Sequence, residues 1–146
     1  MTEKISQPKR MSSAKLGLAR AAIVLVLASN LSAAVPMVLW PDRYMGGFEV
    51  AGTPGLVVVR SIGLLFLMWV VPYVPALLHP QRYRVCLIVI LVQQCIGLLG
   101  ESVMALGLPS GHPALWATGM RYILFDTAGL FLLGAAWYLS RPQSQG

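Results

Sequence analysis

Four apolar stretches, each long enough to cross a bilayer, fill most of this chain and limit what it can fold into before any other feature is weighed. A spanning helix needs about 20 predominantly apolar residues, because no water in the hydrocarbon core is available to satisfy backbone polar groups. The stretches cover about residues 16–40, 54–78, 85–106 and 113–139. They predict an all-α, four-helix transmembrane bundle that is one membrane domain over 1–146, with a leader at 1–15 and a tail at 140–146. A mean hydropathy of +0.71 and a charged fraction of 11% exclude a soluble globular domain, in which about a quarter of residues are charged.

Local signals set the limits of the spans. Thr53-Pro54 reads as an N-cap followed by proline at the first helical position, and His79-Pro80 ends the same span. Pro72 and Pro75 should bend its far end. The turn from Gly107 to Pro113 separates the third and fourth spans, and connections this short make neighbouring helices antiparallel. The first span also has features of a signal peptide, namely a basic leader and small residues at Ala33 and Ala34. Its apolar stretch reaches spanning length, whereas a signal core is about 7–15 residues, so a retained helix is expected.

Basic residues set the expected direction. The leader with Lys4, Lys9, Arg10, Lys15 and Arg20, the turn with Arg82 and Arg84, and Arg141 hold eight of the eleven. Arg43, Arg60 and Arg121 fall on the other side, which predicts both termini in the cytoplasm of a multi-pass protein of the cell's inner (plasma) membrane. Trp40, Tyr44 and Trp116 should mark the outer interface, and Tyr83, Trp137 and Tyr138 the inner one. The net charge of +6 comes largely from the leader, where basic residues meet anionic headgroups, so the expected partner is the lipid bilayer and no nucleic acid.

The few polar residues inside the spans converge. At ~1.5 Å per residue, Glu101 lies about 24 Å beyond Val85, Arg60 about 27 Å from Leu78 and Asp126 about 20 Å from Leu139, all in the outer half. Arg121 lies near the outer interface. A charge at such depth costs ~2–3 kcal/mol, which predicts that Arg60 and Arg121 pair with Glu101 and Asp126 in one combination or the other. Asn30, Gln93 and Gln94 form a tier nearer the midplane. Gln94, Gly97 and Glu101 share one helix face, and Tyr122 stands one turn before Asp126. Gly97 and Gly100, with Gly129 and Gly134 on the fourth span, are candidate close-packing positions.

These residues outline a candidate ligand site of Arg60, Trp69, Gln94, Glu101, Arg121, Tyr122 and Asp126. Trp69, Tyr73, Phe66 and Met68 would supply an apolar wall beneath the charges. The same groups would equally serve to clip helices together. Cys86 and Cys95, nine positions apart in one span, read as buried small hydrophobes. His79 and His112 fall at opposite rims and cannot ligate one haem, and structural roles are expected, with His112 capping the helix that starts at Pro113. A proton-exchange role for His112 is the alternative. No phosphate loop, nucleophile motif or metal spacing is present, so no cofactor is implied.

The segment Leu56-Val57-Val58-Val59-Arg60-Ser61-Ile62-Gly63-Leu64-Leu65-Phe66 resembles the arginine-containing helix start of small four-helix membrane proteins of the DoxX-like group. The resemblance covers one helix by sequence and the rest by helix count and size, and it implies architecture more than activity. The leading expectation is a small membrane protein that binds a lipid-like or quinone-like hydrophobic molecule, or that joins a homo-oligomer or larger membrane complex as an accessory subunit. The alternative is a membrane-embedded isomerase or cyclase in which Glu101 and Asp126 perform acid–base catalysis on a terpenoid- or sterol-like substrate. Proton or cation transport ranks below both.

Overall fold

A computed structural model describes residues 13–141, in which α1 (Ser13–Leu39), α3 (Gly52–Trp69), α4 (Tyr73–Leu78), α5 (Arg84–Gly107) and α6 (Pro113–Leu139) build the bundle. A rim loop between α1 and α3 carries the short α2 (Asp42–Met45) and a 3₁₀ turn (Gly46–Phe48). Four segments are long and apolar enough to cross a membrane: Ser13–Leu39, Gly52–Leu78, Arg84–Gly107 and Pro113–Leu139. The protein is therefore a small four-helix integral membrane protein. Most of the leader and tail lie outside the described residues.

Side-chain bonds to helix ends fix the relative directions. Arg20, near the start of α1, donates to the carbonyls of Leu77 (3.2 Å) and Leu78 (2.6 Å) at the end of α4. Arg84, opening α5, donates to Ser140 O at the end of α6 (3.2 Å). These four helix ends share one end of the bundle, which we call the closed end, and the rim loop joins the start of α6 at the opposite, open end. The last carbonyls of a helix have no intrahelical partner and carry partial negative charge, so a guanidinium satisfies them and complements the dipole. At the closed end Arg84 and Arg141 also lie over the Trp137 ring, at 5.3 and 3.8 Å from its centroid.

Pro72 decides the shape of the bundle. The second span is helical to Trp69, turns through residues 70–72 and resumes at Tyr73, because proline removes a donor and its ring clashes with the preceding turn. Beyond the break, α4 packs between α1 and α5, whereas α3 packs along α1 and not along α5. The main buried cluster accordingly gathers at the closed end, from Ala19, Ile23, Val26, Tyr73, Leu87 and Leu133 among others. Toward the open end α3 and α5 diverge.

Helix α3 begins at Gly52 with Ala51 as an uncapped N-cap residue, so Thr53 does not cap it as its sequence suggests. Gly52, at φ +65°, reverses the chain into the helix in a conformation that glycine adopts without a Cβ clash. The glycines also divide differently from expectation. Gly97 and Gly129 are in close contact with neighbouring side chains, but nothing would lie within 4 Å of a Cβ on Gly100 or Gly134. At Gly63 α3 crosses α1 so closely that a Cβ there would lie 2.9 Å from the Ala34 carbonyl oxygen.

Candidate functional site

The site builds from the α5–α6 crossing. Asp126 and Gln94 are both buried, and Gln94 Nε2 donates to Asp126 Oδ1 at 2.7 Å. Each side chain lies over a glycine of the other helix: Gln94 covers Gly129 and the Asp126 carboxylate covers Gly97. Two small residues therefore let the helices close while two polar side chains bond across the seam. On α1, Asn30 is buried and donates to Val26 O (3.2 Å), and its amide meets the Tyr73 hydroxyl from α4. Gln93, expected to bond across helices in the same tier, leaves its Oε1 buried without a partner.

A cavity of about 280 Å³ opens over this polar floor, with Asn30, Trp69, Gln94, Glu101, Tyr122 and Asp126 in its wall. Beside it, in the gap between α3 and α5, lies a larger apolar cleft of about 650 Å³ walled by Ile62, Phe66, Met104, Leu108, Leu115 and Trp116, among others. Phe66, Glu101 and Tyr122 belong to both walls. Tyr122 is held between two rings, edge-on to Phe66 at 5.8 Å and tilted to Phe48 at 6.4 Å. Glu101 makes no hydrogen bond or salt bridge with any described residue, so its carboxylate stands at the junction of the two spaces.

The expected arginine–carboxylate pairs do not form. Arg60 is exposed, and its Nε donates to Val38 O near the end of α1 (3.2 Å). Arg121 donates through Nη2 to Thr118 Oγ1 (3.0 Å). The only salt bridge among the described residues joins His112 to Glu49. The long Arg60 side chain reaches a carbonyl near the end of α1 that has no intrahelical partner, and Arg121 is taken up by a threonine one turn back on its own helix. Arg60 lines none of the cavities described here and is a helix cap. Gln94, Glu101, Tyr122, Asp126 and Trp69 do come together, with Arg121 on the same cavity wall.

Sequence reasoning missed Glu49. Its backbone is left-handed (φ 52°), which turns the side chain across the rim onto the start of α6. Glu49 Oε1 accepts from the N–H groups of Ala114 and Leu115, each at 3.1 Å, and Oε2 meets His112 Nδ1 at 2.5 Å. His112 itself makes no cap bond, so Glu49 caps α6 and His112 braces the cap. The signal was available: a helix that starts at Pro113 after a histidine has no Ser, Thr, Asp or Asn of its own at the cap, and its free N–H groups need an acceptor from elsewhere. Thr118 adds to the same clasp by donating to Gly47 O (2.7 Å). His79 lies at the closed end, where its ring approaches Tyr83 (6.3 Å).

The bond to His112 and those from the Leu115 and Ala114 amides hold the Glu49 carboxyl below its ordinary value of 4.5. A depressed carboxyl pKa adds stability that is fully present above 4.5 and is lost as pH falls through the lower folded-state value. The thermal midpoint of the wild type should therefore exceed that of Glu49→Gln at neutral pH, and the two should converge in the acid range below 4.5. A gap unchanged across that range would show that the carboxylate charge is not what holds α6.

Cys86 and Cys95 are free thiols, and among the described residues no three His, Cys, Asp or Glu side chains converge as a metal site requires. The chain matches no protein-family model, no curated protein and no solved structure.

Proposed function

We propose that this protein binds a hydrophobic, lipid-like or quinone-like molecule, with its apolar body in the α3–α5 cleft and a polar group turned toward Glu101, Gln94 and Asp126. The observation that carries this reading is the contiguity of the two spaces: the 650 Å³ apolar cleft and the 280 Å³ polar cavity share Phe66, Glu101 and Tyr122. Ligand sites commonly combine a mostly apolar surface with a few convergent polar groups, and volumes of this size suit small molecules. Glu101, without a protein partner, would accept a hydrogen bond from a hydroxyl or ring N–H of the ligand. The cytoplasmic placement of both termini, a role as an accessory subunit, and membership of the DoxX-like group belong to the same proposal.

Protein purified in mild detergent from native membranes should carry one class of hydrophobic molecule, identified by solvent extraction and mass spectrometry. Ala105→Trp, which fills the cleft from α5, should abolish retention while leaving the thermal midpoint near that of the wild type. Glu101→Gln should weaken binding roughly tenfold, the loss of one charge-assisted hydrogen bond. Equal retention by wild type and Ala105→Trp would rule out the cleft.

A second reading rests on one further observation, that Glu101 and Asp126 face the same cavity. Two carboxyl groups on one cavity wall are what acid–base isomerisation or cyclisation of a terpenoid- or sterol-like substrate would use. Turnover of a bound isoprenoid that collapses in both Glu101→Gln and Asp126→Asn, with binding intact, would favour the enzyme.

A further inference from the structure

A third cavity, of about 350 Å³, lies on the other side of the Phe48–Tyr122 wall, between the rim loop, α1 and α6. Its charge differs from that of the other two. Arg43 and Arg121 both line it, and no carboxylate does. Neither arginine has an acidic partner among the described residues. Arg43 lies 5.4 Å from the Trp40 ring centroid, and Arg121 is steadied by Thr118, which is itself bonded to Gly47 O. Of the two acids in the loop, Glu49 is committed to His112 and the start of α6, and Asp42, next to Arg43 in the chain, neither lines the cavity nor forms a salt bridge with any described residue.

Two guanidinium groups on one concave wall without a counter-charge repel each other, and the repulsion grows where the membrane lowers the dielectric. An anion between them removes that cost and supplies several acceptor oxygens for their planar donor forks. The remaining wall narrows the choice of anion. Ala33, Met37, Phe48 and Tyr122 make it largely apolar, and the volume far exceeds a single anionic group. Trp40, half-exposed beside Arg43, is the kind of side chain that sits at headgroup depth.

We propose that this cavity is a phosphate-binding site for an amphiphile, with the phosphate held between Arg43 and Arg121 and the adjoining carbon chain against Ala33, Met37 and Phe48. The site shares Phe48, Thr118 and Tyr122 with the cleft and Arg121 with the polar cavity, but it does not depend on the cleft being occupied. Of the three cavities Arg43 lines only this one, so its substitution leaves Glu101, Gln94 and Asp126 untouched.

The test uses the full chain in nanodiscs of phosphatidylcholine and phosphatidylglycerol in equal amounts, with lipid retained after detergent extraction measured by native mass spectrometry. Wild-type protein and Arg60→Gln, which removes a rim arginine outside the cavity, should both retain phospholipid. Arg43→Gln should retain roughly tenfold less, and Arg43→Lys, which keeps the charge, should recover part of the loss. In parallel, delipidated protein is titrated with inorganic phosphate. Binding that is lost in Arg43→Gln supports the site with a soluble phosphate as its source, whereas lipid retention without phosphate binding assigns the source to the leaflet. Arg43→Gln that matches wild type in both measurements, with an unchanged thermal midpoint, overturns the proposal.

Discussion

Gly63→Leu is expected to separate α1 from α3 and to leave no folded population in mild detergent. A Cβ at this position would lie 2.9 Å from each of three atoms of α1: the Ala34 carbonyl oxygen, Met37 Cβ and Val38 Cγ2. One of these is backbone and another is a Cβ, so neither can rotate aside. Even Gly63→Ala forces the two helix axes apart, and overpacking a closed contact costs about 1–3 kcal/mol. The three further carbons of leucine have nowhere to go, because Val59, one turn away on the same face, is fully buried. Gly100→Leu is the control: nothing lies within 4 Å of its Cβ position, and removal of a flexible residue from a helix should leave stability level or slightly raised. Thermal unfolding followed by circular dichroism or tryptophan fluorescence measures both variants. Equal midpoints for Gly63→Leu and Gly100→Leu would refute the backbone crossing.

The contrast between those two glycines shows what the sequence could and could not reveal. Span limits were legible because spanning length and hydropathy are properties of a segment alone. The predicted start at Pro113 is the observed one, and the predicted bend at Pro72 is the observed break. The packing faces were not legible. These helices are apolar nearly all round, so no stripe of hydrophobic residues marks the inward side. Gly100 therefore reads as being as suitable for close packing as Gly97, and nothing in the sequence marks Gly63, where α3 meets the α1 backbone.

The same limit explains the charges. Counting along a helix gives the depth of Arg60 or Glu101 but not its direction around the axis, nor the carbonyl that ends the neighbouring helix. Arg20, Arg60 and Arg84 all settle on such carbonyls, and Glu49 settles on the amide end of α6. Lipid exclusion did gather the polar residues, but a carbonyl at the end of α1 took Arg60 and the Thr118 hydroxyl took Arg121, the two charges expected to neutralise the intramembrane acids. Glu101 and Asp126 are left facing a cavity without a cation bonded to either, and the cavity's contiguity with the apolar cleft makes them available to a ligand's polar group in the proposed reading.

The second large effect is expected at the α5–α6 seam, where Gln94, Asp126, Gly97 and Gly129 should behave as one interlocked unit. Gly129→Ala would place a Cβ 2.6 Å from Gln94 Nε2 and 2.8 Å from Gln94 Cδ, which drives the amide off Asp126 and breaks the 2.7 Å bond. The cost combines overpacking, about 1–3 kcal/mol, with a buried carboxyl left short of a donor, about 1–3 kcal/mol. Gln94→Ala alone should cost about 1–3 kcal/mol for the second reason only. With Gln94 already truncated, however, the three atoms nearest to that Cβ are gone and Gly129→Ala breaks no bond. The double variant should therefore be more stable than the sum of the singles by at least about 1 kcal/mol, the range seen for residues in direct contact. Gly134→Ala, whose Cβ position is open, should add to Gln94→Ala without coupling. Because Gln94, Gly97 and Asp126 also line the polar cavity, loss of the interlock should lower ligand retention along with stability, whereas Ala105→Trp lowers retention alone. Strict additivity between Gly129→Ala and Gln94→Ala would mean that the amide is not held over Gly129, and the floor of the proposed site would have to be redrawn.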